Sequence, residues 1–236
     1  TANLFWQARD VALYPVVADD ASGWRSTAKL AVRAHHTTRE PTLGLFRRGT
    51  HRVEPVPRCV VHAPPINEAL ALLTDELRRP GAPAPYDEAG SGLLKYVQCN
   101  VERSTARVQL TLVAHLDDAD AAGGASVCSL AESLWRRGGG DASWHSIWLH
   151  LDPSRATNIF DYGPKAWVRL LGDEHLVERP PSGAAVHLPP YVFRQANLGA
   201  FDAIIAATPP HLMHQGLYGA LAIEWWTGPL QVASEQ

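Results

Sequence analysis

The sequence has few cysteines, no long apolar run and no overall excess of basic residues. Its three cysteines among 236 residues are widely spaced, and no two of them form a C-x-x-C pair. This pattern indicates neither a disulfide framework nor a self-contained zinc site, and it predicts a reducing intracellular compartment, either cytoplasm or an organelle such as a plastid or mitochondrion. Because no apolar run could span a bilayer and residues 1–20 lack a secretory signal, no membrane partner is expected.

The net charge of -3 conceals a basic segment near the start of the chain. Between Arg25 and Arg58 lie eight basic and two acidic residues, a net charge of +6 before histidine is counted. Such a segment suits contact with phosphates, and it equally suits an ordinary solvated face of a sheet. Its alternating pattern predicts that these cations lie on β-strands.

The pattern of apolar residues predicts an α+β fold. Helical spacing over 66–77, directly after two prolines, and over 127–135, before three glycines, predicts two helices. Strand-like runs cover 24–36, 42–46, 51–56, 93–101, 107–116 and 143–151. The order of these elements resembles a split βαβ unit, an antiparallel sheet with two helices covering one face. Short segments over 153–188 predict a β meander after it.

The stretch from Pro190 to Asn197 joins the meander to a third helix. Four apolar side chains after it recur at helical spacing and predict a face buried in the fold: Leu198, Phe201, Ile204 and Ile205. Gln195 and Asn197 stand at the junction itself, where polar side chains either face a ligand or cap the helix. Asn197 is the better candidate for the cap.

Three groups of residues resemble the S-adenosylmethionine-dependent RNA uracil-C5 methyltransferases, which make 5-methyluridine in tRNA and large-subunit rRNA. They are GWRSTAKLAVR at 23–33, LGLFRRGTH at 43–51 with PRC at 57–59, and FRQAN at 193–197, which matches the family signature F-x-Q-x-N. The resemblance covers nearly the whole chain. It implies a lead-in over 1–22, a central RNA-contacting α+β domain over 23–189, and the truncated start of a Rossmann-like donor-binding domain over 190–236.

This resemblance implies a methyl-donor site and an RNA partner. S-adenosylmethionine is the implied cofactor, contacted by Gln195. Residues 222–228 fit the first half of the family's E-L-Y-x-G-x-G motif, so Trp226 and Gly228 are implied to join that site, although Pro229-Leu230 stands where a second glycine would follow. The implied partner is structured tRNA or rRNA, and its phosphates are expected to meet a set of five cations: Arg25, Lys29, Arg33, Arg47 and Arg48.

The cysteines match no catalytic position of the family. Its nucleophilic cysteine and its carboxylate base fall beyond Gln236, so no catalytic residue is assigned and methyl transfer by this chain alone is not expected. Cys59 matches the fourth iron–sulfur ligand of some members, but the three upstream ligands have no counterpart, so a cluster is not expected. Cys99 and Cys128 are predicted to be core residues.

Two further readings of the chain remain open. The sequence opens on Thr rather than Met and ends where the catalytic domain would begin, so we expect a fragment of such a methyltransferase. A non-catalytic RNA-binding or assembly module is the alternative from another functional class, and a gene-model fragment without a function of its own is the third. The eleven histidines show no metal-ligand spacing, so no metal site is expected.

Overall fold

The computed structural model describes residues 20–154 except 88 and 122, residues 166–180, residue 183 and residues 185–207. The predictions for Trp226 and Gly228 lie outside the described residues, as do residues 155–165 of the predicted meander. Within the described ranges, no helix has the length and apolarity needed to cross a bilayer.

Two sheets and three α-helices make up the part of the chain that is described. The strands are β1 (Thr27–Ala34), β2 (Pro41–Phe46), β3 (Val53–Pro55), β4 (Leu94–Val101), β5 (Val108–Ala114), β6 (Trp144–Leu151), β7 (Trp167–Gly172), β8 (Leu176–Glu178) and β9 (Val186–Leu188). The helices are α1 (Pro64–Leu77), α2 (Gly124–Arg137) and α3 (Leu198–Ala207). The large sheet has the order β3-β2-β1-β4-β5-β6-β7, with β8 and β9 paired separately. Its neighbouring strands are antiparallel except for the parallel pair β5 and β6, so the predicted α+β class is confirmed.

The first two helices form where the apolar spacing predicts them. Helix α1 begins with two prolines. Proline suits this place because the N–H groups of a first helical turn have no partner within the helix, and proline has no N–H. The helix buries Ile66 and Leu73. Helix α2 buries Val127 and Leu134 and ends at Gly138, whose N–H donates to the Leu134 carbonyl at 2.8 Å. Both helices pack on the same core as the inner face of the sheet.

The central strands β4, β5 and β6 are buried on both faces. Side chains such as Leu110 point into the core beneath the helices, whereas the opposite face carries Gln98, Asn100 and Gln109. These amides are buried: Asn100 Nδ2 donates to Gln109 Oε1 at 3.1 Å, and Gln98 Nε2 donates to the Pro190 carbonyl at 3.1 Å, whereas Gln109 Nε2 has no hydrogen-bond partner among the described residues. The chain after β9 therefore crosses the polar face of the sheet.

Strand pairing differs from two finer predictions. Among the described strands, β7 pairs with β6 as the edge of the large sheet, and β8 pairs with β9 separately, so the described part of the expected meander is divided. In a split βαβ unit another strand separates the parallel pair, but here β5 and β6 are direct neighbours, and β1 and β4 are adjacent and antiparallel. Periodicity identifies strands but carries no information on which strands pair.

The predicted core residues are largely confirmed. Cys99 is buried in β4, and burial raises the pKa of its thiol to about 12. Cys128 is only half-buried, because it lies on α2 beside the buried stripe and not within it. Trp144, Trp148 and Trp167 are also buried.

Candidate functional site

The corner at Gln195, residues 194–197, is attached to the start of β1 by the two residues that follow Gln195. Ser26 donates its backbone N–H to the Ala196 carbonyl at 2.7 Å, and its hydroxyl donates to the same oxygen at 3.0 Å. Arg25 and Asn197 form an antiparallel bridge. The backbone is thus fixed while the Gln195 side chain remains exposed, as a ligand-contacting amide requires.

Asn197 caps α3, as predicted. Its side-chain oxygen accepts the Ala200 N–H at 2.9 Å, and its backbone carbonyl accepts the Phe201 N–H at 3.1 Å. This is the geometry of an N-cap, in which one side chain satisfies an N–H of the first turn. Since Asn197 supplies the cap, the Gln195 amide is not needed for it. The donor contact of Gln195 stays a prediction.

The prediction that α3 buries an apolar face is wrong. No residue of α3 is buried, and Ile204 is 53% exposed, although the helix forms at the expected position. Helical spacing of Leu198, Phe201 and Ile205 specifies that these side chains share a face, but it does not specify what covers that face. Within the described residues the helix is held by its first turn and by an ion pair, not by a packed apolar face.

A buried charge network that the sequence analysis missed lies beneath this corner. Arg194 and Glu178 are 9% and 6% exposed, and the Arg194 guanidinium contacts the Glu178 carboxylate. Glu178 also accepts the Arg103 backbone N–H at 3.2 Å and lies 3.4 Å from Arg103 Nε. Arg103 in turn pairs with Asp202 of α3, so three segments that are distant in sequence meet at one carboxylate.

Arg194 depends strongly on this carboxylate. Burial lowers the pKa of Arg194, and the neighbouring Glu178 opposes that shift, so the guanidinium stays charged. Its Nε and Nη1 atoms are buried and have no hydrogen-bond partner among the described residues. Nothing in the local sequence marks the pair, because the two residues stand sixteen positions apart in short segments of irregular pattern.

A second carboxylate extends the network toward β6. Glu102 accepts the Val177 N–H at 3.1 Å and lies 3.3 Å from Arg107 Nη2 and 3.8 Å from His145 Nε2. Burial acts to raise the pKa of Glu102, but hydrogen bonds from Thr105, Val177 and Arg107 hold it below its usual value. Burial lowers the pKa of His145 despite the carboxylate, so this imidazole is neutral in the fold.

Four of the five predicted RNA-contacting cations lie near the two ends of β1. Arg25 is half-buried at the start, next to the Gln195 corner, and donates from Nε to the Thr27 carbonyl at 3.0 Å. Arg33 is half-buried at the other end, and Arg47 and Arg48 are exposed on the β2–β3 hairpin beside it. Eight residues of extended strand separate the two ends, a distance of about 26 Å.

Lys29 lies between these ends on the strand. Its partner in the register is Gln98, which places it on the polar face of the sheet. Burial lowers the pKa of Lys29 to about 8, while its side chain keeps a large solvent-accessible area. With a pKa of about 8, Lys29 is charged at neutral pH.

Cys59 borders an open groove of about 710 Å³ between its own loop, the Ser22–Gly23 turn and α1. Asn67 holds the cysteine from both sides: its Oδ1 accepts the Cys59 N–H at 3.1 Å, and its Nδ2 donates to the Cys59 carbonyl at 3.0 Å. Among the residues described, no three His, Cys, Asp or Glu side chains are grouped to hold a metal ion. The described residues thus give Cys59 no companion ligands for an iron–sulfur cluster.

Comparison with known proteins gives a consistent set of relatives. No family model matches the chain. It is 31% identical over 191 residues to an uncharacterized RNA methyltransferase of Protochlamydia amoebophila, covering 78% of this chain and 46% of that protein. It is 29% identical over 90 residues to an uncharacterized RNA methyltransferase of Geobacter sulfurreducens, covering 38% and 18% respectively.

A solved structure shares the fold. The crystal structure of Pyrococcus abyssi tRNA (uracil-54, C5)-methyltransferase in complex with S-adenosyl-L-homocysteine matches with a TM-score of 0.64 at 15% identity. The match covers 86% of this chain and 44% of that one. The chain thus spans less than half the length of the relatives it matches.

Proposed function

Because this chain belongs to the RNA uracil-C5 methyltransferase family, we propose that it serves S-adenosylmethionine-dependent methylation of uracil C5 in tRNA or rRNA. The described residues would supply the surface that contacts structured RNA and one polar wall of the methyl-donor site. The observation that carries this proposal is the exposed Gln195 amide, which stands in a matching F-x-Q-x-N stretch on a backbone fixed to β1.

The proposed role of Gln195 is to bind the polar part of the donor. A side-chain amide donates and accepts hydrogen bonds without adding charge beside the sulfonium of S-adenosylmethionine. We propose that Trp226 and Gly228 belong to the same donor site. We also propose that 190–236 begins a Rossmann-like domain that follows the central domain 23–189.

No described cysteine is proposed as the nucleophile. Addition to C6 of uracil requires a thiolate, and a buried thiol with a pKa of about 12 excludes Cys99 at neutral pH. Cys59 is half-buried against the Asn67 clamp, and no base lies in a hydrogen bond with its sulfur among the described contacts. The proposed contribution of this part of the chain is therefore binding and positioning, not bond making.

Titration calorimetry with S-adenosylmethionine and with a uracil-containing stem-loop tests this function. We expect donor binding that Gln195→Ala weakens, with Glu174→Gln, an exposed polar substitution on the β7–β8 connection, as the matched control. RNA binding without any donor binding would instead support the non-catalytic RNA-binding or assembly module, for which the exposed basic hairpin is the favouring observation. Absence of both would refute either role.

A further inference from the structure

The end of strand β2, where the β2–β3 hairpin begins, presents an aromatic ring beside exposed cations. Phe46, the last residue of β2, is 36% exposed, and its neighbour Leu45 is 56% exposed. The Phe46 ring packs edge-on against the buried Tyr96 ring, with centroids 6.4 Å apart and an interplanar angle of 74°. One part of this ring is therefore fixed by the fold and another part is open to a ligand.

Arg33 fixes the ring from within the sheet. Its guanidinium lies 5.3 Å from the centroid of Phe46 and 5.4 Å from those of Tyr86 and Tyr96. Arg33 Nη1 also donates to the Val32 carbonyl at 2.7 Å and to the Lys95 carbonyl at 2.9 Å. These contacts make Arg33 a support for Phe46 and leave the ring ordered before any ligand arrives, which lowers the entropic cost of binding.

The hairpin that follows Phe46 carries three arginines on an ordered turn. Arg47 donates its N–H to the Arg52 carbonyl at 2.8 Å, and Thr50 donates its N–H and its hydroxyl to the Arg47 carbonyl at 3.0 and 2.9 Å. Arg47 forms a solvent-exposed pair with Glu54 at 3.8 Å, a contact of little energetic weight. Arg48 and Arg52 are exposed and have no carboxylate partner among the described residues.

We propose that this end of the sheet binds an unpaired base of an RNA loop, with the base stacked on Phe46 and the adjacent phosphates held by Arg48 and Arg52. The inference rests on the proposed function and assigns the RNA loop a contact site. An exposed ring offers stacking that every base can use, and exposed arginines offer bidentate contacts to phosphate. An acidic peptide would satisfy the arginines but would leave the ring without a stacking partner, so RNA fits both features.

Fluorescence anisotropy with two labelled RNAs tests the site, one a uracil-containing stem-loop and the other a blunt duplex of equal charge. Phe46→Leu keeps the apolar side chain and removes the aromatic face, so it should weaken stem-loop binding by roughly 5- to 150-fold and leave duplex binding unchanged. Phe46→Trp should retain stem-loop binding, which separates stacking from a folding defect. Arg48→Gln should weaken both RNAs and reduce the slope of log K against log salt by about 1.

Arg136→Gln, an exposed cation on α2 with no described ion pair, is the control and should change neither RNA. The proposal would be overturned if Phe46→Leu weakened the binding of stem-loop and duplex equally, or weakened neither. It would also be overturned if polyglutamate displaced both RNAs alike. Measuring S-adenosylmethionine binding by the same variants distinguishes failure of this RNA site from failure of the donor role proposed above. A stem-loop loss in Phe46→Leu on a chain that binds no S-adenosylmethionine would support this site and refute the donor role.

Discussion

Removal of the Glu178 carboxylate should destabilise the fold more than any exposed substitution in the same region. Glu178→Ala leaves the Arg194 guanidinium buried without the carboxylate that contacts it, and only the more weakly coupled Glu102 still favours its charge. Two of its nitrogens already have no described partner. Loss of one partner of a buried ion pair costs about 3–5 kcal/mol. The half-exposed Arg103 adds little to this figure because solvent screens it. A loss of this size is a large fraction of the roughly 5–15 kcal/mol that stabilises a typical domain.

Urea unfolding followed by tryptophan fluorescence measures this loss as a change in midpoint at constant slope. Glu178→Gln keeps one acceptor and should lose only about 1–3 kcal/mol. The double variant Glu178→Leu with Arg194→Met removes both charges and should recover much of the stability. The exposed Glu174→Gln should change the free energy of unfolding by less than about 0.5 kcal/mol. If Glu178→Ala proves as mild as Glu174→Gln, the network does not hold the corner.

Three further predictions follow from buried groups. Burial lowers the pKa of His145 in the fold, so on acidification the unfolded chain takes up this proton before the folded chain does. The free energy of unfolding should therefore fall as the pH drops below 6.5 and level off below the folded-state pKa. In His145→Gln, urea midpoints measured across this range should no longer show this part of the pH dependence. A Cβ on Gly138 would lie 2.1 Å from Trp144 Nε1. Gly138→Ala should therefore displace that ring and break its 2.8 Å hydrogen bond to the Leu134 carbonyl. The free energy of unfolding should fall by about 1–3 kcal/mol, and the near-ultraviolet circular dichroism should change. A thiol reagent should modify native Cys59 and Cys128 and spare Cys99 until urea unfolds the chain; rapid labelling of all three would contradict the burial described.

Elements with a strong apolar period were predictable from the sequence. Helix α1 follows two prolines and carries its buried residues on one stripe, so local chemistry and period agree. The β2–β3 hairpin was predictable for the same reason, because two alternating runs flank a short polar turn. Helix α3 was predictable only as a helix: Asn197 marks its start, whereas its lack of burial depends on what lies against it.

The polar contacts that hold the candidate site were not predictable. Glu178 meets Arg194 and Arg103 only after β8, the corner and the β4–β5 turn have been brought together, and no periodic signal links these positions. The buried amides of Gln98 and Asn100 read as the solvated side of a half-exposed sheet, since alternation alone does not reveal that the chain returns over that face. Motif matching located Gln195, but only the structure shows how Ser26 fixes its backbone.

Strand β1 connects the two proposed contacts and constrains the size of the substrate. Its start is bonded to the Gln195 corner through Ser26, and its end supports Phe46 through Arg33. Arg25, beside that corner, and Arg33 stand eight positions apart, about 26 Å along an extended strand. At about 3.4 Å per stacked base, a ligand that reaches both must extend over roughly eight bases or fold back on itself. A free nucleotide at the corner therefore cannot reach Phe46. Shortening the stem-loop below this span should abolish the effect of Phe46→Leu on RNA held at the corner, whereas Gln195→Ala should still weaken S-adenosylmethionine binding.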